Sequence, residues 1–124
     1  MNISMLRAKI HRATVTGADL SYEGSISICP DLIKASGFLI NEKVDIYNCN
    51  NGARFSTYVI KGNKGEICLN GAAARHVQKG DLVIIVSYCG LTLEEAKKHE
   101  PSVVFVDEKN RVKDKRKESR KNNR

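Results

Sequence analysis

The chain has 124 residues, a net charge of +7 and a hydrophobic share of 41%, with three Phe, four Tyr and no Trp. That length suits one domain, and that apolar content suits a folded core filled by aliphatic side chains rather than disorder. No apolar run reaches the ~18 residues of a membrane helix, and the N-terminus lacks the apolar segment of a secretory signal, so a soluble cytoplasmic protein is expected.

In chain order, Met5–Val15 reads as a long strand that puts Lys9 and His11 on one face. In Ser21–Ile28, polar and apolar residues alternate after Gly24, as in a half-buried strand. The Gly24-Ser25 step interrupts that pattern. Glycine inside a strand marks a bulge or a close backbone approach, so the peptide can bend there, with a hydroxyl directly after the bend. Pro30 and Gly37 frame a helix of about two turns. Lys43–Cys49 and Arg54–Ile60 form a hairpin around Asn50-Asn51-Gly52, residues that tolerate positive φ. On the returning strand Arg54, Ser56 and Tyr58 share one face, and Phe55, Thr57 and Val59 the other. Glu66–Asn70 is a short strand that ends in the small-residue run Asn70-Gly71-Ala72-Ala73-Ala74. Leu82–Tyr88 is a buried strand. Thr92 and Glu95 make a capping box for a short helix before Pro101, and Ser102–Val106 is a last strand.

Residues 107–124 hold nine Lys/Arg against four Asp/Glu, a net +5 that leaves +2 for the other 106 residues. With apolar residues almost gone, 108–124 is expected to be a basic, disordered tail behind a domain of residues 1–107. Many short strands, two or three short helices and no regular βα alternation point to a mainly β barrel. Gly80-Asp81-Leu82-Val83 and Asn41-Glu42-Lys43-Val44 hint at two related halves.

The familiar catalytic constellations are missing. There is no Gly-x-Ser-x-Gly elbow around Ser25, no phosphate loop and no dinucleotide fingerprint. Cys29, Cys49, Cys68 and Cys89 include no Cys-x-x-Cys pair, and His11, His76 and His99 lack zinc spacing. No metal is expected, and the cysteines read as reduced small hydrophobes. Lys9, Arg54, Tyr58 and Asn70-Gly71 would suit a small dianionic ligand. Arg offers a forked donor for a carboxylate, and Gly71 lets backbone N–H groups approach. Each also has a plainer reading: a surface cation, a core tyrosine, an ordinary loop.

Taken together and in this order, several tracts resemble the bacterial pyruvoyl-dependent aspartate 1-decarboxylase family. They are Lys9-Ile10-His11-Arg12, Ala18-Asp19-Leu20, Tyr22-Glu23-Gly24-Ser25, Asn51-Gly52 with Arg54-Phe55-Ser56-Thr57-Tyr58, Asn70-Gly71-Ala72-Ala73-Ala74, and Gly80-Asp81. The resemblance runs from about Met5 to about Asp107. It implies a double-psi β-barrel and a homotetramer with active sites at subunit boundaries. It also implies a zymogen: Ser25 Oγ attacks the Gly24 carbonyl, the ester eliminates, and residue 25 becomes a covalent pyruvoyl group. Thr57 assists this cleavage, which is either spontaneous or helped by a maturation partner protein. The pyruvoyl group then forms a Schiff base with L-aspartate, and Tyr58 protonates the product of decarboxylation. The product is β-alanine, for pantothenate synthesis. Lys9, Arg54, Thr57, Asn70, Gly71, Ala72 and Ala73 are the implied substrate contacts, with His11 and Ala74 as further candidates.

Charge placement supports one detail independently. A cation bonded to the departing carboxylate would stabilise the ground state more than the transition state. Arg54, helped by Lys9, should therefore grip the carboxylate that stays. Strand periodicity puts Thr57 opposite Arg54 and Tyr58, so either the strand twists locally or Thr57 serves a neighbouring site. The competing reading is a small-barrel nucleic-acid module that uses the basic tail. A domain charge of +2 and few aromatics for base stacking count against it, and neither nucleic acid nor membrane is expected as a partner.

Overall fold

The structure, a computed structural model, describes residues 1–117, the side chain of Lys117 excepted. Its strands are β1 (Ile3–Thr14), β2 (Gly17–Asp19), β3 (Ser25–Ile28), β4 (Lys43–Asn48), β5 (Arg54–Lys61), β6 (Ile67–Asn70), β7 (Leu82–Leu91), β8 (Ser102–Val106) and β9 (Val112–Lys117). Two short α-helices, α1 (Pro30–Ser36) and α2 (Leu93–Lys98), and a 3-10 helix (Gly71–His76) complete it. The strands form one mixed sheet in the order β2-β6-β3-β5-β4-β7-β1-β8-β9. Three neighbouring pairs, β1–β8, β2–β6 and β3–β5, are parallel, and the rest are antiparallel. Among the described residues no helix is long and apolar enough to cross a membrane.

Local signals account for the connections. Pro30 begins α1 where no N–H is needed. Gly37 closes that helix at φ 82, with its N–H on the Ile33 carbonyl at 2.9 Å. Thr92 and Glu95 form the reciprocal cap of α2 at 2.9 and 3.2 Å. Gly52, at φ 77, turns β4 into β5, and the hairpin pairs Tyr47 with Arg54. The core is aliphatic, with Ile10, Ile26, Ile28, Leu32, Ile46, Ile67, Leu69 and Ile85 all fully buried. Each such side chain contributes about 1.5–3 kcal/mol of burial.

The two halves do share a built motif. Asn41 (φ 73) and Gly80 (φ 97) both turn in the left-handed region, and an acid follows each. In one half Asn41 N–H donates to Val59 O and Val59 N–H to Glu42 O, at 2.8 and 3.0 Å. In the other, Gly80 N–H donates to Val15 O and Val15 N–H to Asp81 O, both at 2.8 Å. Each acid then accepts the backbone N–H three residues earlier: Glu42 from Leu39 and Asp81 from Gln78, both at 2.9 Å. Each also takes a distant side-chain donor. Arg7 reaches Glu42 with two nitrogens, at 3.0 and 2.5 Å, and Asn48 Nδ2 reaches Asp81 at 2.9 Å.

Two expectations need correction. β3 is not half-buried: all four of its residues are buried. Ile26 and Ile28 face the core, and Ser25 and Ser27 on the opposite face are covered as well. Residues 108–124 are not a tail throughout. Val112–Lys117 pairs antiparallel with β8, from Val106–Val112 to Ser102–Lys117, and residues 118–124 lie outside the described residues. Backbone pairing along β8 needs no apolar side chains, which is why composition missed the strand. Arg116 also covers the Phe105 ring at 4.5 Å.

Asn110 anchors this β8–β9 turn. It is 2% exposed, at φ 60. Its amide takes Thr14 N–H and donates to Thr14 O, both at 2.8 Å, and donates to Gly65 O at 3.0 Å. Asn110→Gly keeps the backbone geometry but drops three bonds, so stability should fall by about 2–3 kcal/mol. Asn110→Ala should cost about 1 kcal/mol more, through left-handed strain. Urea unfolding at fixed protein concentration measures both. A Gly variant as stable as the parent would show that Asn110 anchors nothing.

Candidate active site

Four polar side chains meet on one face of the β3–β6 pair. The register sets Ser25 opposite Asn70 and Ser27 opposite Cys68, while Ile26, Ile28, Ile67 and Leu69 belong to the core. Ser25 is 1% exposed and Asn70 3%, so their polar atoms need partners inside the protein. Ser25 Oγ donates to the Glu23 carbonyl at 3.1 Å and accepts from Asn70 Nδ2 at 2.9 Å. Asn70 Nδ2 also donates to Ser27 Oγ at 3.0 Å, and the Cys68 thiol donates to Asn70 Oδ1 at 3.4 Å. Two bonds thus hold the Ser25 hydroxyl.

The close backbone approach expected at Gly24 is present, but its steric demand falls on Gly71. Gly71 has φ 68, and a Cβ there would stand 2.7 Å from Gly24 Cα and 2.8 Å from Gly24 N. Neither the space nor the conformation admits another residue. Gly24 itself is exposed, with open space where a Cβ would go, and its φ is not positive. Beyond Gly71 the small-residue run is the 3-10 helix. Ala72 is exposed, Ala73 packs against the core and Ala74 is buried. The first N–H groups of such a helix have no partner within it.

The parallel register of β3 and β5 begins at Ile26–Val59. Tyr58 and Thr57 are the two residues before Val59, as Ser25 and Gly24 are the two before Ile26. Tyr58 and Ser25 therefore lie on the face opposite Val59 and Ile26, and Thr57 lies on the face of Val59. The periodicity that separates Thr57 from Tyr58 holds without a local twist.

Arg54 belongs to a second patch. Its guanidinium lies 3.9 Å over the ring of Tyr47, its hairpin partner, a contact worth about 0.5–2 kcal/mol. Tyr47 and Tyr88 join hydroxyls at 2.7 Å. The hydrogen bond with Tyr47, then burial, pushes the Tyr88 phenol up to about 12. Arg54, Tyr47, Asp45, Phe55 and Ser56 line a cleft of about 250 Å³.

Lys9 belongs to a third patch, on β1 between Val86 of β7 and Val103 of β8. β7 and β4 separate β1 from β5, a span of roughly 14 Å. Arg54 and Tyr58 are themselves about 13 Å apart along β5. His11 lines a different cavity, of about 490 Å³, and meets the Phe105 ring edge-on at 5.5 Å. Its Nδ1 is buried without a partner, and burial, then the Lys9 and Arg12 charges, lowers its pKa. One chain therefore brings Ser25, Asn70 and Gly71 together, with Tyr58 on the same face of the adjoining strand and Thr57 on its other face, and leaves Arg54, Lys9 and His11 elsewhere.

Sequence reasoning missed Ser27, Cys68, Tyr47 and Tyr88. Ser27 had a signal, being two residues from Ser25 on the same strand. Tyr47 had one too, because the Asn-Gly turn fixes its pairing with Arg54. Cys68 and Tyr88 depend on long-range register, for which the sequence carries no mark.

Residues 1–113 match the family model for aspartate decarboxylase. The chain belongs to the aspartate decarboxylase family. It is 84% identical over 124 residues, the whole of both chains, to "Aspartate 1-decarboxylase" of Bdellovibrio bacteriovorus. The protein of the same name from Campylobacter hominis is 63% identical over 110 residues, 89% of this chain and 96% of that one. The one from Caldicellulosiruptor saccharolyticus is 60% identical over 114 residues, 90% of this chain and 89% of that one. The family match ends inside β9, past the domain boundary expected at Asp107.

The Tyr88 geometry is open to a direct test. Ultraviolet titration of the folded protein should show one late phenol, ionising near pH 12, which Tyr88→Phe removes. A phenol pKa raised by folding supports stability below its ordinary value near 10 and loses that support as pH rises through the folded value. An unchanged high-pH titration in Tyr88→Phe would contradict the hydroxyl pair.

Proposed function

We propose that this chain is made as a precursor that cuts itself between Gly24 and Ser25, and that the cut protein converts L-aspartate to β-alanine and CO2 for pantothenate synthesis. One observation carries the reading beyond family membership. A buried serine hydroxyl is held by two hydrogen bonds directly after an exposed glycine whose backbone is pressed against Gly71. In the first step Ser25 Oγ bonds to the Gly24 carbonyl carbon. The Gly24–Ser25 C–N bond breaks, and the hydroxyl proton passes to the freed nitrogen. Thr57 is assigned to bond that carbonyl oxygen as charge builds on it.

At position 25 the Oγ would leave on the Gly24 carboxylate and water would replace the nitrogen on Cα, releasing ammonia, so that a pyruvoyl group would stand opposite Asn70 in the β3–β6 register. Such a group supplies a ketone that captures the substrate amine and takes up the electrons left by departing CO2. Tyr58, which shares a face with Ser25, is assigned to deliver the proton that replaces the carboxylate. Gly71, Ala72 and Ala73 leave backbone N–H groups open to a substrate carboxylate, and Ala74 supports that turn from the core. Arg54 grips the carboxylate that stays, with Lys9 adding positive charge and His11 orienting it.

Those last three are remote from Ser25 within one chain, which favours sites completed between copies in a homotetramer. The repeated Asn41-Glu42 and Gly80-Asp81 motif favours closure of the sheet into a double-psi β-barrel, in a cytoplasmic enzyme.

Wild-type protein should form β-alanine from aspartate. Ser25→Ala should stay one folded chain, with a thermal midpoint lowered by a few degrees because a buried Asn70 N–H loses its partner, and form none. Arg54→Lys keeps the charge but loses the fork, so kcat/KM for aspartate should fall by about tenfold or more in processed protein. β-Alanine made by Ser25→Ala would end the proposal; near-normal kcat/KM in Arg54→Lys would end the carboxylate assignment.

A further inference from the structure

We propose that Ser27 and Cys68 are positioning residues for the cleavage at Ser25, acting through the amide of Asn70. The inference rests on the self-cleavage reading and adds two residues to it.

Ser25 faces Asn70 and Ser27 faces Cys68, so the four side chains form a two-by-two block on one face of β3 and β6. An asparagine amide has a donor end and an acceptor end, and a hydroxyl satisfies either. The two serines alone therefore leave the Asn70 amide free to face them with Oδ1 or with Nδ2. Cys68 breaks the tie, because a protonated thiol is a donor and a poor acceptor. It lies 3.4 Å from Asn70 Oδ1, and its other nearby acceptor, the Leu69 carbonyl, is at 4.0 Å. Burial, then the Glu66 and Asp19 carboxylates, raises the Cys68 pKa, which keeps the S–H in place. With Oδ1 taken, both Nδ2 hydrogens are directed at the serines, one to Ser25 Oγ and one to Ser27 Oγ, at 2.9 and 3.0 Å. Ser27 is 8% exposed, so its bond is made inside the protein and occupies the second hydrogen.

The donor end on Ser25 matters to the chemistry. With Nδ2–H on one Oγ lone pair and the O–H on the Glu23 carbonyl, the hydroxyl is fixed by two bonds and its other lone pair is the one left to bond the Gly24 carbon. The reversed amide would compete with the Glu23 carbonyl for the single hydroxyl proton, so Oγ would be held by one bond and lose that orientation.

The test follows cleavage of freshly made full-length chain over time, as the fraction cut on denaturing gels. Cys68→Val removes the donor with little change of shape, and Cys68→Ser restores one. Cys68→Val and Ser27→Ala should each slow cleavage by about three- to tenfold, the scale of one lost hydrogen bond. Cys68→Ser should stay within about twofold of wild type. A purely structural role for Cys68 predicts no rescue by serine. Should Cys68→Val fail to fold, Ser27→Ala carries the test alone. Cleavage of Cys68→Val or Ser27→Ala at the wild-type rate, or Cys68→Ser slowed as much as Cys68→Val, overturns this inference and leaves the self-cleavage reading standing. A wild-type chain that stays whole overturns both.

Discussion

The backbone of Gly24 rests against the backbone of Gly71, with no space for a methyl group at Gly71. This contact depends on three strands at once. β5 fixes β3 from one side by parallel pairing, and β6 fixes it from the other by antiparallel pairing. β6 then ends at Asn70, and the left-handed turn at Gly71 brings the chain back over Gly24. The buried serine hydroxyl and the exposed peptide before it follow from that crossing. Flexibility at Gly24 is less important than rigidity around it. A hydroxyl held by two bonds in a closed environment has lost most of the freedom that makes a serine beside its own peptide bond harmless in an ordinary strand.

The remaining groups are set by sheet order rather than by proximity in sequence. Arg54 and Tyr58 lie on one strand face yet are separated along it, and Lys9 is three strands away, on β1. A single small substrate could not meet all of them from one copy of this fold. The duplicated turn, with a left-handed residue, an acid and a reciprocally paired valine, extends the β4–β5 ladder in one half and the β1–β7 ladder in the other. β4 and β7, which lie between these patches, are held in register by their own antiparallel pairing. Around Arg54 the guanidinium stacks on Tyr47 and Tyr47 is joined to Tyr88. That arrangement leaves the guanidinium edges available to a carboxylate while restricting where the group can point.

What the sequence discloses here is local. Pro30 and Gly37, the Thr92–Glu95 cap and the Asn-Gly turn each act within a few residues, so the elements they bound match their expected places. The burial of Ser25 does not act locally. It requires the polar face of β3 to be covered by chain remote in sequence, which alternation in four residues cannot signal. β9 is hidden for the opposite reason: its Lys-Asp-Lys-Arg run carries no apolar pattern, and it is held by the backbone of β8 and by Asn110. Of the residues that the family resemblance names, Gly24, Ser25, Asn70 and Gly71 are in contact in one chain. The hydrogen bonds from Asn70 to Ser25 and Ser27, and from Cys68 to Asn70, arise only from the β3–β6 register.

The central claim is that the Gly24–Ser25 peptide bond is the one that breaks, and that Ser25 does the breaking. The most direct measurement is the intact mass of purified, aged wild-type protein after denaturation. Two chains are expected, one ending at Gly24 and one beginning at residue 25. The second should be lighter than a simple hydrolysis product by one ammonia and should lack a free terminal amine. A single intact chain, or a second fragment that begins with an ordinary serine amine, would contradict the account.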